Sequence, residues 1–175
     1  MKIVHHSNQL GLGGTEKCMQ YLLEYLRDAG HDCYCMHNRL RTAAAGPSRE
    51  ALIKDLLGPD RVLGYSDAEE FFAAVSRLSP DVFHVHRSGR GPEFPVVPAL
   101  KKHAASLVET NVFGGNDPSG LIDLTLYVND YMLKSSGARP GLSAVLYNPV
   151  KRPSHARDMR SALGISPSAF VIGRI

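Results

Sequence analysis

A strand that runs through glycines straight into a helix constrains this chain more than any other feature, and it lies in Lys2–Met19, KIVHHSNQLGLGGTEKCM. Lys2–His6 reads as a short buried strand, Ser7–Gly14 as a polar, glycine-rich turn, and Thr15 as the start of an amphipathic helix with Glu16 in its first turn. Backbone N–H groups point outward at such a helix start, the helix dipole favours negative charge, and Gly13 and Gly14 have no side chain to block close approach, so the turn suits an anion such as a diphosphate. It is not the dinucleotide fingerprint G-x-G-x-x-G, because the third position after Gly11 and Gly13 is Glu16. A carboxylate there repels a pyrophosphate lying along the whole turn but accepts hydrogen bonds from hydroxyl groups. An ordinary βα turn, with glycines serving only tight geometry, explains the same residues.

Taken in order, the rest of the chain alternates strands with helical stretches. Helix one is expected from Thr15 to Ala29, with Cys18, Tyr21, Leu22, Tyr25 and Leu26 at helical spacing and Gly30 ending it. His31–His37 follows as a strand, Asn38–Gly46 as a basic, alanine-rich loop, Ser48–Leu57 as a short helix and Arg61–Tyr65 as a third strand. Asp67, with Glu70 at the capping-box position, starts a helix to about Leu78 that buries Phe71, Phe72, Val75 and Leu78. Ser79-Pro80 breaks it. Asp81–His86, DVFHVH, is the fourth strand, then come a loop at Arg87–Pro92, a helix at Phe94–His103 and a fifth strand at Ser106–Thr110. Asn111–Gly120 reads as a surface loop, and Leu124–Val128 and Ala144–Leu146 as strands flanking a helix at Tyr131–Ser136.

This alternation predicts an α/β fold with a doubly wound, mostly parallel, Rossmann-like sheet. In the common order 3-2-1-4-5 the switch point falls between strands one and four, and ligands sit at the carboxyl ends of those strands. His5, His6, the Gly13-Gly14 turn, His84, His86, Arg87 and the Asn111 loop converge there.

The 175 residues suit one domain with a real core. No apolar run is long enough to cross a bilayer, and the first residues do not read as a secretory leader, so a cytoplasmic location is expected. Cys18, Cys33 and Cys35 form an odd set, two of them alternating on one strand, which fits reduced, buried thiols rather than a disulfide framework. A net charge of +3 is too mild to argue for nucleic acid. After Asp130 the bases Lys134, Arg139, Lys151, Arg152, Arg157, Arg160 and Arg174 face one acid, Asp158. They read as a solvated terminal segment or as a surface that packs against something else.

His84 and His86 are two apart on a strand and share a face. With His6 leaning in from the neighbouring strand, three imidazoles meet, and a metal-dependent hydrolase is one reading, although no carboxylate base stands near. Polar recognition is the other: histidine, asparagine and arginine around a phosphate-friendly turn suit a hydroxylated acceptor and a diphosphate leaving group, as glycosyl transfer requires. A non-catalytic nucleotide or sugar-phosphate sensor is the third.

Gly13-Gly14-Thr15-Glu16 after strand one, DVFHVH at Asp81–His86, ETNVFG at Glu109–Gly114 and VLYNPV at Val145–Val150 together resemble the N-terminal half of GT-B glycosyltransferases, closest to the retaining enzymes of glycosyltransferase family 4. The resemblance covers nearly the whole chain. It implies a Rossmann-like acceptor domain over 1–150, with 151–175 as linker and start of a C-terminal donor domain. It implies a nucleotide-sugar donor, a carbohydrate or lipid-linked acceptor, transfer with retention, and no cofactor or metal. Carried over by residue, Gly13 and Gly14 match the glycines near the donor diphosphate, and His84 and His86 match the histidine-containing end of strand four. Asn111 stands where many members have a histidine next to the transferred sugar; asparagine hydrogen-bonds a hydroxyl but takes no proton. Asn148-Pro149-Val150 resembles the hinge into the second domain, with proline replacing glycine and stiffening the exit. Asn111 and His86 are thus the expected catalytic contacts, and His6, Asn8, Thr15, Glu16, His84 and Arg87 the expected acceptor contacts. Arg160–Ile175 resembles the helix turn and first strand of the donor domain, so the chain is expected to be inactive alone. Because many relatives glycosylate lipids, Arg39, Arg41, Arg87, Arg90, Lys101 and Lys102 are candidates for weak contact with anionic headgroups at the inner membrane face.

Overall fold

The computed structural model describes residues 1–87, 97–139, 141–152 and 159–172. Seven strands form one parallel sheet in the order β3-β2-β1-β4-β5-β6-β7. They span Lys2–Ser7 (β1), Asp32–Asn38 (β2), Val62–Tyr65 (β3), Val82–Arg87 (β4), Ser106–Asn111 (β5), Leu124–Tyr127 (β6) and Ser143–Val145 (β7). Helices Gly14–Asp28 (α1), Arg39–Ala44 (α2), Glu50–Leu57 (α3), Ala68–Leu78 (α4), Val97–Leu100 (α5) and Asp130–Ser135 (α6) connect them. The central order 3-2-1-4-5 is the expected one, so the switch point lies between β1 and β4.

Each sheet face buries its own core. Leu10, Met19, Leu23, Cys33, Cys35, Ile53 and Val62 pack under α1 and α3 on one face. Val4, Met36, Tyr65, Phe71, Val75, Phe83 and Leu107 pack with α4 on the other. The period-2 alternation of β1 and β4 distributes these residues. α4 starts as its sequence dictates, with Asp67 accepting from the Glu70 N–H at 2.9 Å, and ends at Ser79 in the left-handed region, φ +44°.

Three expectations change. The basic stretch after Asn38 is helical rather than a loop: the Asn38 side chain accepts the Arg41 N–H at 3.0 Å and caps α2, which has too few apolar residues to show a period. The helix expected over Phe94–His103 is, among the described residues, one turn at Val97–Leu100, and its expected start lies outside them, as do Arg90 and most of the loop after Arg87. Residues 159–172 form turns, with Arg160 donating to the Ser166 and Ala169 carbonyls at 3.2 and 2.8 Å, and no strand is formed there. Arg157, Asp158 and Arg174 lie outside the described residues. The segment after β7 is tied back onto α1 by the Lys151–Glu24 ion pair, with the Lys151 ammonium 5.4 Å from the Tyr21 ring centre.

His6 faces the α4 core. Its Nε2 shares a 2.8 Å hydrogen bond with Tyr65 Oη, and its ring packs against Tyr65, Phe71 and Phe83. Burial, and after it the nearby His37, lowers its pKa to about 3. Between about pH 6.5 and that value the unfolded chain binds a proton that folded His6 refuses, so stability falls on acidification by about 1.4 kcal/mol per pH unit for each such residue. His6→Phe keeps the aromatic packing and removes one such proton. Urea unfolding across this range is expected to show a pH slope shallower by about one proton, with neutral-pH stability lowered by about 1–3 kcal/mol because the buried Tyr65 hydroxyl loses its imidazole partner.

Candidate functional site

The cleft at the carboxyl ends of the central strands is built by β1, β4, the turn after β1 and the start of α1. Ser7, Asn8, Gln9, Thr15, Glu16, Arg41 and His86 line a space of about 260 Å³. A narrow apolar crevice adjoins it, lined by Thr15, Cys18, Leu22, His86, Thr110, Val112, Leu146, Asn148 and Pro149. Thr15 and His86 border both. The start of α1, the end of β4, the end of β5 and the Asn148-Pro149 exit therefore meet at one place.

Register explains which residues arrive. His5 pairs with His84 and Ser7 with His86 across β1 and β4. In a parallel sheet, paired positions share a face, so His5, His84 and His86 all point toward α1. His6 points the other way. The imidazole trio expected from His6, His84 and His86 is thus formed by His5, His84 and His86, because one residue along a strand reverses the face. His5 Nδ1 and His86 Nε2 share a 2.9 Å hydrogen bond, and His84 Nε2 meets Thr110 Oγ1 at 2.8 Å. The ring centres of His84 and His86 are 4.2 Å apart. Burial lowers all three pKa values, His84 to about 3, and the neighbouring imidazoles push His5 and His86 down further. The rings are neutral near pH 7.

At the head of α1, Gly13 is the N-cap in extended backbone, φ −64°, and Glu16 is at the third helical position. A Cβ on Gly13 would overlap Glu16 Oε2, whereas one on Gly14 would meet nothing within 4 Å. The bare Cα of Gly13 therefore makes room for the protein's own carboxylate. Glu16 is nearly buried and still borders the cleft. Gly14 leaves open space on its flank of the helix start.

Two expected contacts turn inward. Arg87, whose side chain lies on the face opposite His86, is 5% exposed, with its Nη2 3.0 Å from Glu109 Oε2 and its Nη1 3.7 Å from Asp117 Oδ2. Asn111, expected to open a surface loop, is fully buried. Its side chain donates to the Gly115 carbonyl and accepts the Gly114 N–H, both at 2.7 Å. Gly114 sits at φ +91°, and a side chain there would run into Met132 and Ser136. Asn111 and Arg87 thus clamp the loop after β5 and do not line the cleft. Nor does His84, which lies one layer below it. Of the expected contacts, Asn8, Thr15, Glu16 and His86 do.

Sequence reasoning named Arg41, in a stretch read as loop, only as a candidate for headgroup contact and gave Gln9 and Ser7 in the polar turn no place in the cleft. It gave Thr110 no role. Of the six cations considered for headgroup contact, Arg87 is buried, Arg39 is paired with Glu70, Lys101 is paired with Asp123, and Arg90 lies outside the described residues. Among the described residues no helix is long and apolar enough to cross a membrane, and the three cysteines are free thiols.

A doubly wound parallel sheet with its polar cleft at the switch point is a Rossmann-like architecture. No family model matches the chain, and no curated protein matches it. Solved structures do. HepE (Alr3699) of Anabaena, solved in complex with UDP-glucose, superposes at a TM-score of 0.60 with 18% identity, over 94% of this chain and 50% of HepE. A glycosyltransferase from Rickettsia africae superposes at 0.53 with 14% identity, over 83% of this chain and 42% of that protein. The chain spans about half the length of the structures it matches, and at these identities what is shared is the fold.

Burial of Arg87 with Glu109 yields a direct test. Burial pushes the Glu109 carboxyl above the usual carboxylate range and the Arg87 guanidinium pulls it back. Arg87→Met is expected to cost about 3–5 kcal/mol, because a buried carboxylate loses its partner. Adding Glu109→Gln should recover part of that loss in urea unfolding.

Proposed function

We propose that this chain is the acceptor-side half of a two-domain, GT-B-type glycosyltransferase that moves a hexose from a nucleotide-sugar to an acceptor hydroxyl with retention. The observation that carries this reading is the polar cleft itself. A neutral imidazole (His86), a hydroxyl (Thr15), an amide (Asn8) and a carboxylate (Glu16) surround a space of sugar dimensions beside a helix N-terminus. Neutral hydrogen-bonding groups with one carboxylate and one guanidinium, that of Arg41, suit hydroxyl recognition, and the open flank of Gly14 leaves backbone for a diphosphate to approach. Further support comes from superposition onto about half of a protein solved with UDP-glucose and of a glycosyltransferase.

In this reading Glu16 accepts hydrogen bonds from acceptor hydroxyls and His86 orients the reacting sugar. His86 acts as a hydrogen-bonding group rather than as a base, since burial holds its proton affinity low. Asn111 and Arg87 contribute by fixing the loop beside the sugar. The donor half supplies the charges that neutralise the departing diphosphate, the acceptor is a carbohydrate or a lipid-linked sugar, no cofactor is needed, and the enzyme works in the cytoplasm, with peripheral membrane contact when the acceptor is a lipid.

The test is sugar transfer with labelled nucleotide-sugars, UDP-glucose first. The chain alone is expected to transfer nothing, and a polypeptide extended through the donor domain to turn over. Transfer by the chain alone overturns the half-enzyme proposal, and no transfer from any nucleotide-sugar by the extended polypeptide overturns the reaction. In the active form, Thr15→Val is expected to lower kcat/KM by about tenfold, the loss of one hydrogen bond.

A further inference from the structure

The imidazoles beneath the cleft are more than core packing. His5, His84 and His86 each offer a ring nitrogen, these nitrogens lie within 4.8 Å of one another, and all three residues are buried. Core histidines normally have both ring nitrogens satisfied. Here His5 Nε2 is fully buried with no hydrogen-bond partner, and only His5 Nδ1 is engaged, by His86. Thr110 Oγ1 holds His84 Nε2 from outside the trio, as a hydroxyl does when it fixes the orientation of a ligating ring.

We propose that His5, His84 and His86 form a binding site for one transition-metal dication of the zinc class, held by three imidazole nitrogens. The inference stands apart from sugar transfer and does not rest on it. Zinc–nitrogen bonds of about 2.0–2.1 Å place ligand atoms roughly 3.4 Å apart in a tetrahedron. The 2.9 Å His5–His86 pair must open slightly and His84 close in, movements that side-chain torsions supply. The metal takes the place of the proton shared by His5 and His86, and that proton moves to the other nitrogen of the ring that carried it, so all three imidazoles bind as neutral ligands. Burial already keeps the three rings deprotonated, the form that ligates. His86 also borders the cleft, so a fourth position has a route to solvent beside Glu16, whose carboxylate offsets part of the added charge.

The experiment uses the full chain, stripped with a chelator and titrated with zinc chloride against a chromophoric competitor. One zinc per chain, a rise in Tm with zinc concentration and an X-ray absorption first shell of nitrogen and oxygen alone are expected. Thr110→Val is expected to weaken binding by about tenfold and His84→Ala by more than about 100-fold. The double variant His31→Ala/His103→Ala, outside the trio, is expected to leave binding unchanged. If His84→Ala fails to fold, cadmium NMR of the wild-type chain decides through couplings to three imidazole nitrogens. No binding at micromolar zinc, sulfur in the first shell from Cys18, Cys33 or Cys35, or full affinity in the folded His84→Ala chain overturns the proposal.

Discussion

The pairing register of β1 with β4 governs this molecule. His5 opposite His84 and Ser7 opposite His86 commit every other residue of both strands to the α1 face and the rest to the α4 face. Both faces are covered, so a slip by one residue would exchange the polar trio with Val4, His6, Phe83 and Val85 and bury imidazoles among the rings of the α4 core. Parallel strands at the middle of a sheet are normally runs of aliphatic residues, because both faces are dry. This pair carries four histidines instead. Each ring has a partner in the observed pairing: His6 with Tyr65, His5 with His86, His84 with Thr110.

That arrangement makes the sheet centre polar without making it charged. An imidazole surrounded by aromatic rings and other imidazoles gives up its proton rather than its burial, which is why these rings titrate far below their ordinary range. On the α4 face the opposite solution is used. Arg87 cannot shed its charge, so it is met by Glu109 and Asp117, and Thr125 donates to Glu109 at 2.9 Å. A neutral polar layer therefore lies under the cleft and an ionic one under the loop after β5, on opposite sides of the same sheet.

The sequence carries the order of elements plainly. The 3.6-residue period of α1 and α4 and the short apolar runs between them suffice for a doubly wound sheet, and the Asp67–Glu70 box marks the start of α4. Face assignment across strands is different information. His84 and His86 share a face by period alone, but whether His5 or His6 joins them depends on a register that no local pattern encodes. Asn111 illustrates a second limit: a polar, glycine-rich stretch reads as a surface loop, yet this residue is buried because its amide replaces the backbone partners that the turn at Gly114 gives up. The α2 helix illustrates a third. Its only strong local signal is the Asn38 cap, and a basic, alanine-rich run hides even that.

The cleft and the trio beneath it share one ring. His86 contributes a wall to the space beside Thr15 and Glu16 and closes the cluster with His5 and His84. Whatever orients that imidazole orients it for both. A hydrogen bond drawn toward a ligand in the cleft competes with the one it makes to His5, and a group held by the trio fixes the nitrogen that the cleft can use. The polar edge of the sheet therefore works as a two-layer device, in which the buried layer sets the direction and tautomer of His86, the imidazole that borders the cleft. Thr110, reaching the lower layer from β5, extends this coupling to the strand that also holds Asn111. The loop after β5 and the floor of the cleft are in this way positioned by adjacent residues of one strand, facing opposite ways.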